Sequence, residues 1–206
     1  MTSNSPRLAA SSTDPGAPRD PVVARSLIGL PSLPTIVAMG PFDDRSEAEE
    51  LAEAFTAVRR RCVAQLVLFG TGPQRTTIVR RAFAHGVGSD VHPHRNFPAG
   101  RWSDVLAAAD VVVPSTASGS MSLLNALSAC RPVVAPIDPT TMRLVVPTSA
   151  GLVYRPGDVS GMAAALLRLL TTPALRHGMA CRAGEVALRH PLLIRLQQST
   201  NGSNDA

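Results

Sequence analysis

The sequence contains no lysine: all 20 residues of the Lys and Arg class are arginine. Aromatic residues are only 3% of the chain, so a core must be built from Ala, Val and Leu. Arginine runs such as Arg59, Arg60, Arg61 and Arg80, Arg81 carry no interleaved aromatics on which bases would stack. The net charge of +5 and pI near 10.3 therefore read as compositional bias with solvated helix faces. No nucleic-acid partner is expected. Cysteine is scarce and odd in number, at Cys62, Cys130 and Cys181. That pattern excludes a disulfide framework and a zinc spacing, and fits a reducing compartment. No stretch reaches the about 18 apolar residues of a membrane span. The opening MTSNSPRLAASSTDPGAPRD has no apolar core of a secretory signal. These absences lead to the expectation of a soluble, cytoplasmic chain.

What is present is 45% hydrophobic residues in 206, enough for one well-sized core. Residues 1–33 are rich in Ser, Pro, Thr and Ala and show no apolar period. They are expected to form a disordered or remnant leader, because they bury too little to offset their ordering entropy. Residues 197–206 are expected to be a disordered tail, leaving one domain over 34–196.

Within that domain short apolar runs alternate with helical periods. Strands are expected at 35–39, 65–69, from Val91, at 111–113, 132–135 and 151–154. Helices are expected at 46–61, 76–85, 102–109, 122–129, 159–170 and 174–187. Continuous apolar strands alternating with helices predict a doubly wound, Rossmann-like α/β domain with a parallel sheet covered on both faces. Such sheets bind ligands beyond the carboxyl ends of their strands. The loops there are 40–45, 70–73, 92–94 and 114–120.

The most distinctive of these is Ser115-Thr116-Ala117-Ser118-Gly119-Ser120, between an apolar strand and a helix. Free N–H groups at the helix start attract anions, and Gly119 lets a phosphate approach the backbone. A serine-rich helix cap with nothing bound is the alternative. Gly70-Thr71-Gly72 begins like a dinucleotide fingerprint, but Arg75 stands where the third glycine belongs. Arg45 ends the first loop and has the chemistry to pair a phosphate bidentately. His92-Pro93-His94 lacks companion ligands, so no metal site is expected. Ser118-Gly119-Ser120 is not a nucleophile elbow, and no residue is assigned as a catalytic acid or base. No cofactor is expected.

The order of segments resembles the C-terminal, nucleotide-sugar-binding half of two-domain glycosyltransferases of the GT-B fold. The stretches are IVAMGPFDDRSEAEELAEAF, LVLFGTGPQRTTI, WSDVLAAADVVVPSTASGS, LLNALSACRPVVAPI and GLVYRPGDVSGMAAALLRLL. Asp110, the Pro132-Val133-Val134-Ala135 run, Gly151 and Pro156-Gly157-Asp158 point to the group 1 (family 4) branch. The resemblance implies a bound nucleotide-diphosphate sugar. Gly40, Gly70 and Gly72 would lie at its loops. Arg45 and the N–H groups near Gly119 and Ser120 would hold its diphosphate beside Ser115 and Ser118, and Asn125 would reach ribose or sugar hydroxyls. This sequence departs from the group pattern. The paired glutamates fall on Ala117 or Ser118 and on Asn125, the glycine before the Pro-Val-Val strand is Cys130, and Pro41 replaces an arginine. The Ser-Gly loop also resembles the inverting branch, so stereochemistry stays open. The resemblance further implies an acceptor-binding domain, from a partner or a second copy of the chain. The alternative is a non-catalytic relative acting as a binding or scaffold subunit.

Overall fold

The computed structural model describes residues 20–94 and 102–189. In chain order the elements are α1 (Pro21–Leu27), β1 (Thr35–Met39), α2 (Arg45–Arg59), β2 (Gln65–Phe69), α3 (Arg75–Ala84), β3 (Val91–His94), α4 (Trp102–Ala107) and β4 (Val111–Val113). Then follow α5 (Met121–Ser128), β5 (Val133–Pro136), α6 (Pro139–Leu144), β6 (Gly151–Tyr154), α7 (Val159–Thr171) and α8 (Pro173–Arg189). The strands form one parallel sheet in the order β3-β2-β1-β4-β5-β6.

Side chains of successive strand residues point to opposite faces, and here they supply two separate cores. Ile36, Ala38, Leu66, Leu68, Val111 and Val113 enter the core under α2, α3 and α7. Val37, Met39, Val67, Val112 and Val133 enter the other, with Ala24 of α1, Val105 and Leu106 of α4, Leu123 and Leu127 of α5 and Ala183 of α8. Burial on both sides is why these strands read as unbroken apolar runs. The chain winds outward from β1 through β2 to β3, then returns to place β4 on the other side of β1. The reversal opens a crevice between the loops after β1 and β4.

The structure differs from the expected leader within its described part, 20–33. Asp20 caps α1 by accepting from Val22 N at 2.8 Å, and Pro21 stands at the first helical position. Arg25 is 4% exposed. It donates Nε to Ala108 O at 3.0 Å and Nη2 to the Asp110 carboxylate. Ala24 and Leu30 complete the attachment. A seven-residue helix held by two apolar side chains and one neutralised arginine has no apolar period to read. Residues 1–19 and the expected tail at 197–206 lie outside the described residues. Helix α6 is also additional; Asp138 caps it by accepting from Thr140 N and Thr141 N, while Thr141 Oγ1 approaches Asp138 N at 2.9 Å.

Candidate functional site

The loops after β1 and β2 are interlocked by backbone bonds. Phe42 N donates to Thr71 O at 2.7 Å, Gln74 N to Phe42 O at 2.9 Å and Gly40 N to Phe69 O at 2.7 Å. Glycine makes this approach possible. A Cβ on Gly72 would lie 2.5 Å from Phe42 N and O, and its φ of +130° is foreign to other residues. A Cβ on Gly40 would meet Thr71 O at 2.9 Å. Gly70 packs on Gly40, and Arg75 Nη1 donates to Gly70 O at 3.0 Å. The residue that breaks the dinucleotide fingerprint thus braces the loop. Gly72→Ala is expected to cost about 3 kcal/mol, from backbone strain plus overpacking. Chemical denaturation checks this: a midpoint unchanged from wild type would mean the loops separate freely.

The hydroxyls of the β4–α5 loop are spent largely on the loop itself. Ser115 is buried and donates Oγ to Pro41 O at 2.9 Å, joining the loop to the one after β1. Ser118 Oγ contacts Ser115 O, Ser122 Oγ and, at 3.3 Å, Ser122 N. Ser122 Oγ donates to Ser115 O at 3.0 Å. Gly119 N donates to Thr116 O at 3.0 Å. Gly119 has φ +58° with open space where a Cβ would stand. Ser120 occupies the cap position of α5 without a side-chain cap bond. The loop is therefore preorganised, with its open side at Gly119 and Ser120. Asn125 lies on the next turn of α5, half-buried.

Arg45 is not gathered into this loop. It donates Nε to Glu49 Oε1 at 2.9 Å along α2, with its side chain 71% exposed. Glu49 also pairs with Arg81, which reaches Glu53 as well. Between α2 and the ends of β5 and β6 lies an open groove of about 1090 Å3, counted with solvent in its mouth. Glu47, Glu49, Glu50, Glu53 and Asp138 line it. A narrower pocket shares part of its lining, with Phe42, Leu51, Val113, Tyr154 and Met162.

Glu47 and Thr116, both on the rim of the two cavities, hydrogen-bond to each other. Burial pushes the Glu47 carboxyl up, and Asp44 and Glu50 push it further. The Tyr154 phenol is raised by its burial, with smaller effects from Glu50 and Glu47. A carboxyl raised in the folded state contributes most below its unfolded value, near the ordinary 4.5. That contribution is lost as pH rises through the folded value. At neutral pH the charge is a cost. Glu47→Gln keeps an oxygen to accept from Thr116, so it should melt above wild type at pH 7. The difference should close by about pH 4, measured by thermal melts across pH; a lower melting point at pH 7 would contradict it.

Sequence reasoning thus places the glycines and the serine loop, and the structure brings them to one edge. It misses Glu47, Thr116 and Tyr154. No local pattern signals a contact between residues 69 positions apart.

This arrangement, a strand-order reversal with interlocked glycine loops facing a serine loop, is that of one half of a GT-B fold. Residues 33–172 match the family of glycosyl transferases group 1, and the chain belongs to it. Solved structures agree on the fold. One is the C-terminal domain of a glycosyl transferase group 1 family protein (LpcC) from Francisella tularensis, at TM-score 0.70 and 14% identity, covering 82% of this chain and 91% of that one. Sucrose-phosphate synthase from Thermosynechococcus elongatus matches at 0.71 and 25%, covering 90% and 49%. Anabaena Alr3699/HepE, solved with UDP and glucose, matches at 0.72 and 18%, covering 92% and 53%. The chain spans about half the length of the latter two. No curated protein matches the sequence. No described helix is long and apolar enough to cross a membrane.

Proposed function

We propose that this chain is the donor half of a hexosyl-type glycosyltransferase, holding a nucleotide-diphosphate sugar over the β1/β4 reversal. The observation that carries the reading is the convergence of three preorganised loops, 40–44, 70–74 and 114–120, at that point. Gly40, Gly70 and Gly72 keep two loops low enough for a ligand to lie across them. The backbone at Gly119 and Ser120 faces the diphosphate, with Ser115 and Ser118 holding its shape. Arg45 leaves Glu49 to pair a phosphate, and Asn125 meets ribose or sugar hydroxyls. The acceptor is held by a further domain, a partner protein or a second copy of this chain. The reading includes a cytoplasmic location, where nucleotide sugars and reduced cysteines coexist.

Calorimetry with UDP, GDP and their sugars tests it. Weak saturable binding is expected, because each charge-assisted contact that is missing costs about 1.5–3 kcal/mol, or one to two decades of affinity. Absence of heat and of any thermal shift at millimolar ligand would overturn it. That outcome would favour a non-catalytic scaffold subunit. One observation supports this second reading: where the group carries two glutamates this chain has Ala117 or Ser118 and Asn125, while carboxylates crowd the neighbouring groove.

A further inference from the structure

Two of the three cysteines lie near each other, Cys130 beside α8 and Cys181 on it. Cys130 ends the turn between α5 and β5, its N donating to Leu127 O at 2.9 Å. Its φ is +53°, a left-handed conformation that glycine adopts far more readily. The side chain this places there is aimed at α8. Cys130 Sγ stands 2.8 Å, and its Cβ 3.8 Å, from where a Cβ on Gly184 would be. Gly184 is itself unfavourable in a helix interior, and its missing side chain is the space the sulfur fills.

One turn before Gly184, on the same side of α8, stands Cys181. It is exposed, and His177 Nε2 lies 3.7 Å from its Sγ. His177, Cys181 and Gly184 follow the spacing i, i+4, i+7, a single helical stripe. Cys130 sits against one end of that stripe. Residues three apart on a helix have Cβ atoms about 5–6 Å apart, and a disulfide needs about 3.5–4.5 Å. Cys130 Cβ lies 3.8 Å from the Gly184 position, one turn from Cys181, and the charge of Cys181 reaches the Cys130 thiol. A shift of the α5–β5 turn along α8 brings the two Cβ atoms within bridging distance. Cys62 belongs to the opposite face, packed with the α2–α7 core.

We propose that Cys130 and Cys181 form a dithiol that closes to a disulfide under a low-molecular-weight disulfide oxidant, fastening the α5–β5 turn to α8. Cys181 is the thiol that meets the oxidant first. As thiolate it attacks one sulfur of the oxidant, forming a mixed disulfide and releasing one thiolate. Cys130, as thiolate, attacks Cys181 Sγ, breaking the mixed disulfide and releasing the second thiolate. The protein loses two electrons and two protons, and the oxidant is reduced to two thiols. The order suits the surroundings: burial pushes the Cys130 thiol up, so it is the slower first attacker. The bridge would anchor the far end of α5, whose first turn follows the serine loop. It stands independently of donor binding.

The test uses the full chain incubated with oxidised glutathione, then alkylated and peptide-mapped. The expected result is a dominant cross-linked peptide joining Cys130 to Cys181, two thiols released per chain, Cys62 still alkylated and a melting point raised by several degrees. In Cys130→Ser, the mixed disulfide at Cys181 should persist where in wild type it is transient. The proposal is overturned if glutathione stays on Cys181 in the wild type while Cys130 remains free. Pairing of Cys62 as often as Cys130 would overturn it equally. The wild-type map decides even if the variant fails to fold.

Discussion

Asp110→Ala should melt about 10 °C below wild type, because removing one partner of a buried ion pair leaves an uncompensated charge at a cost of about 3–5 kcal/mol. Asp110 is 7% exposed. Its Oδ2 accepts from Arg25 Nη2 and from Thr35 N, the latter at 2.8 Å, and Arg176 Nε lies 3.4 Å from Oδ1. The carboxylate therefore ties α1, the start of β1 and α8 to the end of α4. Burial lowers the pKa of Arg25 despite Asp110, and takes Arg131 down to about 10. Without Asp110 those cations stay buried and lose its countercharge. Arg25→Met should cost less, because an unbranched apolar chain occupies the same channel and Asp110 keeps Arg176. Circular-dichroism melts distinguish the two. An Asp110→Ala protein melting within about 2 °C of wild type would show that the cluster is relaxed by water.

The 206-residue chain by itself should transfer no sugar above background. Transfer requires donor and acceptor in near-attack geometry, and such positioning supplies about 7–11 kcal/mol of the barrier. On the proposed reading, the elements described supply one wall of the cleft. The loops after β1, β2 and β4 gather at one edge of the sheet. Donor-side chemistry is also thin, since no carboxylate stands at Ala117, Ser118 or Asn125. Turnover of a nucleotide sugar onto an acceptor at about 1 per second, the usual lower range of enzymes, would show that a complete site exists, for instance between two copies. A coupled assay for released nucleoside diphosphate, with hydrolysis subtracted, reads this directly.

The sheet was legible because its strands are buried on both faces, so TIVAM and QLVLF stand out as unbroken apolar runs with every residue of TIVAM buried. The gathering of the candidate loops at one edge was legible through the same pattern, since strand order fixes where loops meet. The use of its hydroxyls was not. A serine that binds a phosphate and a serine that braces a loop look alike in sequence, and the bonds of Ser115 to Pro41 O and of Ser118 to Ser122 Oγ have no local signature. Arg45 likewise has a partner four residues along its own helix. The attachment of α1 was hidden because its main contact joins residues 85 apart through an arginine, which reads as surface.

The central claim, that a nucleotide-diphosphate sugar lies across the β1/β4 reversal, is tested most directly by titrating isotopically labelled chain with UDP, GDP and their sugars and following each amide resonance. The prediction is saturable shifts concentrated in 40–45, 70–74 and 115–125, with α7 and α8 unmoved. Shifts confined to 46–53, 136–138 and 154–157 along the acidic groove, or none at millimolar ligand, would contradict it.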